Sequence, residues 1–266
     1  MKPPVSVPSR CIVRRARRRT RRAPLLFVHG AFAGAWCWDE YFLPYFAARG
    51  YDAWAVDLRG HGAGAMVDDF ASVDDYVADV LCAATDIGER PVLLGHSMGA
   101  IVVQRALSRL QAAAMALLAP VPLQGLLGSS LRLAANCPET FNEMNKLQFS
   151  PASPTSPDLL ARAIFSPHLP AVAVRRHLRR MQPESHRALY DLSWPQHFLI
   201  ARSAIPVRVF GAGDDQLFPP QAIEETARLH GAVTEIIPDL AHAMMLDANW
   251  EHAAERVADW LEELQA

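Results

Sequence analysis

The sequence predicts an α/β fold with a mostly parallel central sheet, helices on both faces and an inserted helical cap. Short apolar runs typical of strands buried on both faces recur at Leu25–Val28, Val92–Leu94 and Met115–Leu118. Segments with helical spacing alternate with these runs, which favours parallel strands joined by crossover helices. At 266 residues and 51% hydrophobic content, the chain suits one domain with a full core.

The first half of the chain supplies most of the alternation. Trp38–Arg49 has helical spacing and is followed by Gly50, a residue that commonly ends helices. Tyr51–Val56 has the pattern of a strand, and Val73–Thr85 that of a helix with Ser72 as its N-cap. This half therefore predicts alternating strands and helices up to residue 121.

The alternation is interrupted over residues 122–200, which are richer in proline, serine and arginine and carry only helical fragments. It resumes with a strand at Val207–Phe210, a helix at Pro220–Leu229 and a strand at Val233–Ile237. A final helix places apolar residues from Trp250 to Leu264 along one face. We therefore predict a core of residues 23–121 and 201–266, with residues 122–200 as a cap above the strand ends.

Residues 1–22 differ from the rest of the chain in charge. They carry nine basic residues and no acidic one, so the formal net charge of −2 leaves about −11 on the remaining residues. An acidic body argues against nucleic acid as the main partner. We predict that this arginine-rich head is a disordered extension; the alternatives are a transit-like or anion-binding tail.

Composition also limits the chemistry. The four cysteines are far apart and lack metal-ligand spacing, so the sequence predicts no metal, no cofactor and a reducing, cytoplasmic location. Apolar runs stay short of the ~18 residues that span a bilayer, so no membrane span is expected. Nothing in the sequence indicates the oligomeric state.

The pentapeptide Gly95–Gly99 carries the clearest chemical signal. It has the form G-x-S-x-G, follows a predicted buried strand and opens a helical run. This context is that of a sharp strand-to-helix turn that exposes a serine hydroxyl, and the turn requires small residues on either side. Ser97 is therefore the predicted nucleophile.

A serine nucleophile needs a base and an acid that orients the base. Of the ten histidines, His242 lies in a loop after the last predicted strand and before the terminal helix, the order that the motif requires. Asp214 and Asp215 follow an earlier strand in a glycine-rich turn, and either carboxylate could serve. Asp215 is preferred because Leu217-Phe218-Pro219 follows it at the usual interval.

Donors for the oxyanion are predicted at two places. The Met98 amide lies at a helix N-terminus, where the dipole also favours negative charge. The second donor should come from the loop after the first buried strand, with Ala31 preferred and Phe32 as the alternative.

Several motifs together resemble those of the α/β-hydrolase family over residues 24–266. They occur in the order of that family and are Val28-His29-Gly30, Asp57-Leu58-Arg59-Gly60-His61-Gly62, Gly95-His96-Ser97-Met98-Gly99, the Gly211–Pro219 turn and Ala241-His242. The resemblance implies a triad of Ser97, Asp215 and His242. The loop from His29 to Trp38 also looks like the corresponding loop of plant methyl esterases and hydroxynitrile lyases.

The expected function is hydrolysis of a carboxylic ester through an acyl-enzyme. Alternatives on the same triad are a thioesterase, a C–C hydrolase or a lyase, and a non-catalytic ligand receptor is possible on the same fold. Large apolar residues of the predicted cap either face inward and make an apolar pocket or pack the cap's own core. They are Leu126, Leu127, Leu131, Leu133, Phe141, Met144, Leu147 and Phe149.

Overall fold

A computed structural model describes residues 10–18, 21–66, 68–150 and 155–265. Its described part forms a seven-stranded sheet in the order β1-β3-β2-β4-β5-β6-β7. The strands are β1 (Arg10–Arg14), β2 (Leu25–Val28), β3 (Ala53–Asp57), β4 (Val92–His96), β5 (Ala114–Leu118), β6 (Val207–Ala212) and β7 (Val233–Ile237). β1 pairs antiparallel with β3, and all other pairs are parallel. The predicted α/β fold with a mostly parallel sheet is confirmed.

Helices flank the sheet on both faces and fill the segment between β5 and β6. They are α1 (Trp36–Asp39), α2 (Phe42–Ala48), α3 (Val73–Ile87), α4 (Met98–Ala106), α5 (Leu126–Asn136), α6 (Pro138–Phe149), α7 (Pro157–Ile164), α8 (Ala171–Leu178), α9 (His186–Ser193), α10 (Pro220–His230) and α11 (Trp250–Glu263). None of the helices among the described residues is both long and apolar enough to cross a membrane.

The inner strands of the sheet are buried on both faces because they alternate their side chains between two apolar layers. In β2, Leu25 and Phe27 pack into one layer, whereas Leu26 and Val28 pack into the other. This explains why the strand appears in the sequence as a continuous apolar run.

The prediction of a disordered head is wrong for Arg10–Arg14, which form the antiparallel edge strand β1. Charged residues suit an edge strand because their long side chains can reach solvent or acidic partners. Arg14 makes two hydrogen bonds to the Asp39 carboxylate, and Arg15 pairs with Asp52. Residues 1–9 and 19–20 lie outside the described residues.

The structure divides one predicted helix and confirms the predicted N-cap of another. The predicted helix at Trp38–Arg49 is divided into α1 and α2, which leaves Glu40 and Tyr41 between them. Ser72 does cap α3, in a capping box in which its side chain accepts from the Asp75 amide and the Asp75 carboxylate accepts from the Ser72 amide. Gly88 ends this helix with φ 74°, a conformation that glycine adopts without strain.

Residues 122–200, called the cap below, contain α5 to α9 and no strand among their described residues. The segment leaves the sheet after β5 and returns at β6, which pairs with β5. The cap thus begins at the carboxyl end of β5, the side on which open parallel sheets bind ligands.

Candidate active site

The turn between β4 and α4 holds Ser97 in an unusual backbone conformation. Its φ is 53° and its ψ is −115°, a region that non-glycine residues rarely adopt. Neighbouring backbone passes so close that an added Cβ at Gly95 would collide with Gly99 and Ala100, and one at Gly99 with the Val28 carbonyl. The two glycines therefore permit the sharp turn that presents the Ser97 side chain at the edge of the sheet.

The structure brings Ser97, His242 and Asp215 into one hydrogen-bonded chain. His242 Nε2 lies 3.0 Å from Ser97 Oγ, and His242 Nδ1 lies 2.8 Å from Asp215 Oδ2. The carboxylate can only accept, so Nδ1 carries the proton and Nε2 is free to accept from the serine hydroxyl. Both ring positions thus fit a base oriented by an acid.

Only one of the two adjacent aspartates, Asp215, belongs to the hydrogen-bonded chain with His242 and Ser97. The second oxygen of Asp215, Oδ1, accepts from the Leu217 and Phe218 amides at 2.8 and 3.0 Å, which fixes the carboxylate in the turn. Asp214 is exposed. The sequence analysis preferred Asp215, with Asp214 as the alternative, and in the structure it is Asp215 that contacts His242.

Two further residues, which the sequence analysis did not select, hold the loop of His242. Asp247 is 1% exposed and accepts hydrogen bonds from the Ala241 amide and from the Ser166 amide and hydroxyl. His96 Nε2 lies 2.8 Å from the His242 carbonyl oxygen, and burial holds the pKa of His96 well below its usual value. A neutral His96 therefore donates to this carbonyl from Nε2. Asp247 follows His242 closely in sequence, but its partner Ser166 is in the cap and could not be identified from the pattern.

Three main-chain amides near Ser97 are available to an oxyanion. Met98 is the first residue of α4, so its amide has no intrahelical acceptor. The Ala31 and Phe32 amides have no acceptor among the described residues, and all three residues line the cavity beside Ser97. Phe32 has φ 64°, which marks a tight turn at this loop. The geometry is compatible with either Ala31 or Phe32 as the second donor.

A cavity of about 390 Å³ lies between the core and the cap, with Ser97 and His242 in its wall. Apolar side chains dominate the lining, and Ser129, Asn145 and Gln148 supply polar groups. No Asp, Glu, Lys or Arg side chain lines it within the described part of the chain. An ionised ligand would therefore lose hydration without gaining an ionic partner.

Most of the large apolar residues named for the cap take the first of their two predicted roles, and two of the others take neither. Five of the eight line the cavity: Leu126, Leu133, Phe141, Met144 and Phe149. Leu127 and Leu131 instead face solvent, with 54% and 63% exposure. α5 therefore presents one apolar face to the cavity and another to the outside.

In the part of the chain that the structure describes, no group of three His, Cys, Asp or Glu side chains could hold a metal.

A model of the alpha/beta hydrolase family matches residues 25–260. The chain is 40% identical over 106 residues to the "Probable esterase PIR7A" of Oryza sativa subsp. indica, covering 38% of this chain and 40% of that protein. It is 34% identical over 92 residues to methyl jasmonate esterase 1 of Vitis vinifera, covering 34% and 35%. These alignments span less than half the length of the curated relatives.

Solved structures are similar over nearly the whole chain. The esterase RhEst1 from Rhodococcus sp. ECU1013 superposes with a TM-score of 0.75 at 20% identity, covering 96% of each chain. A thermophilic esterase from Thermogutta terrifontis gives a TM-score of 0.69 at 16% identity, covering 97% of this chain and 94% of that one. At such low identity these structures establish the fold alone.

Proposed function

Because the chain belongs to the alpha/beta hydrolase family, we propose that it is a carboxylic-ester hydrolase with Ser97 as nucleophile. One observation carries the proposal: Ser97 Oγ, His242 and Asp215 form an unbroken hydrogen-bonded chain at the wall of an apolar cavity. The partial alignments to plant proteins named as esterases support the same reaction.

The proposed reaction has two halves. His242 Nε2 takes the Ser97 proton as Oγ attacks the ester carbonyl, and Asp215 stabilises the imidazolium that forms. The Met98 and Ala31 amides bind the oxyanion of the tetrahedral intermediate, and loss of one such donor costs about 3 kcal/mol of transition-state stabilisation. His242 then protonates the departing alcohol, and water, activated by the same imidazole, releases the acid from the acyl-enzyme.

The cavity supports an uncharged ester with apolar groups on both sides of the carbonyl. In this proposal the cap, residues 122–200, roofs the site and supplies much of the apolar wall through α5 and α6. A free carboxylate or ammonium group on the substrate would be buried without an ionic partner.

A panel of p-nitrophenyl esters graded by acyl length tests both the proposed ester hydrolysis and the preference for an uncharged substrate. We expect neutral acyl chains to be hydrolysed and isosteric acyl chains that end in a carboxylate to lose at least about 10-fold in kcat/KM, which corresponds to ~1.4 kcal/mol. Equal rates for the neutral and charged members would contradict the uncharged substrate class. Absence of turnover across the panel, together with no labelling by a fluorophosphonate probe, would contradict the hydrolase itself.

The adjacent aspartates provide a matched pair of variants. Asp215→Asn should lower kcat by about 10⁴-fold, because an amide can present N–H to His242 Nδ1 and favour the wrong tautomer. Asp214→Asn changes the same functional group one residue away, on an exposed side chain, and should stay within about twofold of the unaltered enzyme. Steady-state kinetics with one neutral ester measures both. The assignment of the acid fails if the Asp214 change is the more damaging one.

A further inference from the structure

Glu184 is a fully buried carboxylate at the contact between the cap and the core. It lies between α8 and α9. Its Oε1 accepts from the Tyr76 hydroxyl at 2.5 Å and from the Ser185 amide at 2.8 Å, and its Oε2 lies 3.1 Å from His61 Nε2. Tyr76 and His61 belong to the core, so this one side chain connects the two parts of the molecule.

A second residue of the cap, Gln148, holds the backbone of Glu184. Gln148 Nε2 donates to the Glu184 carbonyl at 2.7 Å, and Gln148 Oε1 accepts from the Glu184 amide at 2.9 Å. Gln148 belongs to α6 and lines the cavity. Glu184 therefore links a wall of the cavity to the core.

His61 is the charged partner of Glu184. Its Nδ1 lies 3.1 Å from the Arg59 carbonyl oxygen and its Nε2 faces the carboxylate, so both ring nitrogens face acceptors and both carry protons. Burial opposes this charge, but Glu184, the Arg59 carbonyl and Asp57 together outweigh burial and raise the pKa of His61. Burial likewise opposes the charge of Glu184, but His61, Tyr76 and the Ser185 amide together outweigh burial and lower the pKa of that carboxyl.

The packing of two histidine rings connects this ion pair to the loop that carries the predicted oxyanion donors. The His61 ring packs against the His29 ring with centroids 4.9 Å apart. His29 accepts from the Leu58 amide at Nε2, and its Nδ1 lies 2.9 Å from the Gly30 carbonyl oxygen. Burial lowers the pKa of His29 to about 3, so it is the neutral imidazole that holds Gly30, the residue before Ala31.

The same cap segment also contacts this loop directly. The main-chain N–H of Gln182 donates to the Phe32 carbonyl oxygen at 3.1 Å. The side-chain Nε2 of Gln182 donates to the Gly60 carbonyl oxygen at 2.5 Å. Pro183 separates Gln182 from Glu184 and restricts the backbone between the two contacts. Displacement of Glu184 would therefore disturb the carbonyls on both sides of Ala31.

We propose that Glu184 is a positioning residue through which the cap holds the Gly30–Phe32 loop in place for the oxyanion. The role in catalysis rests on the proposed ester hydrolysis, whereas the role in holding the loop does not. The oxyanion amides act most strongly in the transition state, so their displacement lowers kcat more than it raises KM.

The first test compares Glu184→Ala with Glu143→Ala. Glu143 is also a buried carboxylate of the cap, but its hydrogen bonds go to Lys146 and Ser156, both within the cap. We expect Glu184→Ala to lower kcat for a neutral p-nitrophenyl ester by at least about 10-fold, with KM within about threefold, as for partial loss of one oxyanion donor. Hydrogen–deuterium exchange in the peptide spanning residues 28–36 should accelerate in this variant and not in Glu143→Ala.

The conservative variant Glu184→Gln should restore both properties at neutral pH. Its Oε1 can accept from Tyr76 and Ser185, and its Nε2 can donate to a neutral His61 that keeps the Nδ1 proton facing Arg59. Restored kcat and slow exchange would separate the loss of hydrogen bonds from the loss of charge. If Glu184→Ala does not fold, the comparison below decides the proposal.

The pH profile gives the second test. A raised pKa means that the ion pair is intact at low pH and is lost as the pH rises through the pKa of folded His61. The ionisable groups facing His61 are Glu184 from the cap, His29 and Asp57 from the strand ends, and Tyr76 from α3. We expect the kcat of the unaltered enzyme to fall above that pKa, and the fall to be absent in Glu184→Gln, whose amide already pairs with neutral His61.

Three outcomes would overturn the proposal. They are unchanged loop exchange in a folded Glu184→Ala, an equal loss in Glu143→Ala, and identical pH profiles for Glu184→Gln and the unaltered enzyme. Faster loop exchange in Glu184→Ala, in a protein that hydrolyses no ester, would support the positioning of the loop and reject the proposed function.

Discussion

Ser97→Ala is expected to reduce kcat for ester hydrolysis by about 10⁶-fold while the protein stays folded. The hydroxyl is the only group at this position that can form the acyl bond, so no other residue replaces it. Alanine keeps the Cβ of serine, and the positive φ of 53° at residue 97 is therefore no more strained in the variant. Steady-state kinetics measures the loss, and thermal unfolding checks the fold.

Ser129→Ala is the matched control for this variant. Ser129 also lines the cavity but makes no contact with His242 among the described hydrogen bonds. We expect it to keep turnover within a few-fold and to be labelled by a fluorophosphonate probe, whereas Ser97→Ala should not be labelled. Substantial turnover by Ser97→Ala, or labelling at another residue, would contradict Ser97 as the nucleophile and leave a receptor or another chemistry to be considered.

His242→Ala is expected to lower kcat by at least about 10³-fold. Without the imidazole, Ser97 Oγ loses its proton acceptor and the leaving alcohol loses its proton donor. The variant also leaves Asp215, whose side chain is 2% exposed, without its partner at Oδ2, so some loss of stability should accompany the loss of activity. Kinetics and thermal unfolding measured on the same preparation separate the two effects.

The exposed His252 on α11 provides the control for this substitution. His252→Ala should leave both kcat and the unfolding temperature nearly unchanged. Retention of more than about a tenth of the activity in a folded His242→Ala would rule out His242 as the general base.

The inner strands could be predicted because they are buried on both faces. β2, β4 and β5 therefore consist almost wholly of apolar residues. β7 is only partly buried, and it too was predicted with its observed bounds. β1 was missed because an edge strand does not need a continuous apolar run. Its arginines extend to solvent or to acidic partners such as Asp39. The division of α1 and α2 was missed because both share one apolar pattern across a short break.

The candidate site was predictable where side-chain chemistry and chain order carry the signal. Ser97, His242 and Asp215 could be selected by residue type and position, with Asp214 left as an alternative that makes no contact with His242 among the described hydrogen bonds. The second oxyanion donor is a main-chain amide, which every residue but proline possesses, so residue type does not identify it. Glu184 and Asp247 act through partners distant in sequence, which no local pattern reveals.

The antiparallel strand β1 makes Arg10–Arg14 of the arginine-rich segment part of the folded sheet. All five of its residues pair with β3, from Arg10 opposite Asp57 to Arg14 opposite Ala53. A chain shortened to start at residue 23 would leave the outer main-chain groups of β3 without partners, and such open edges invite strand-to-strand association between molecules. Recombinant work should therefore keep this segment, although its composition suggests a dispensable tail.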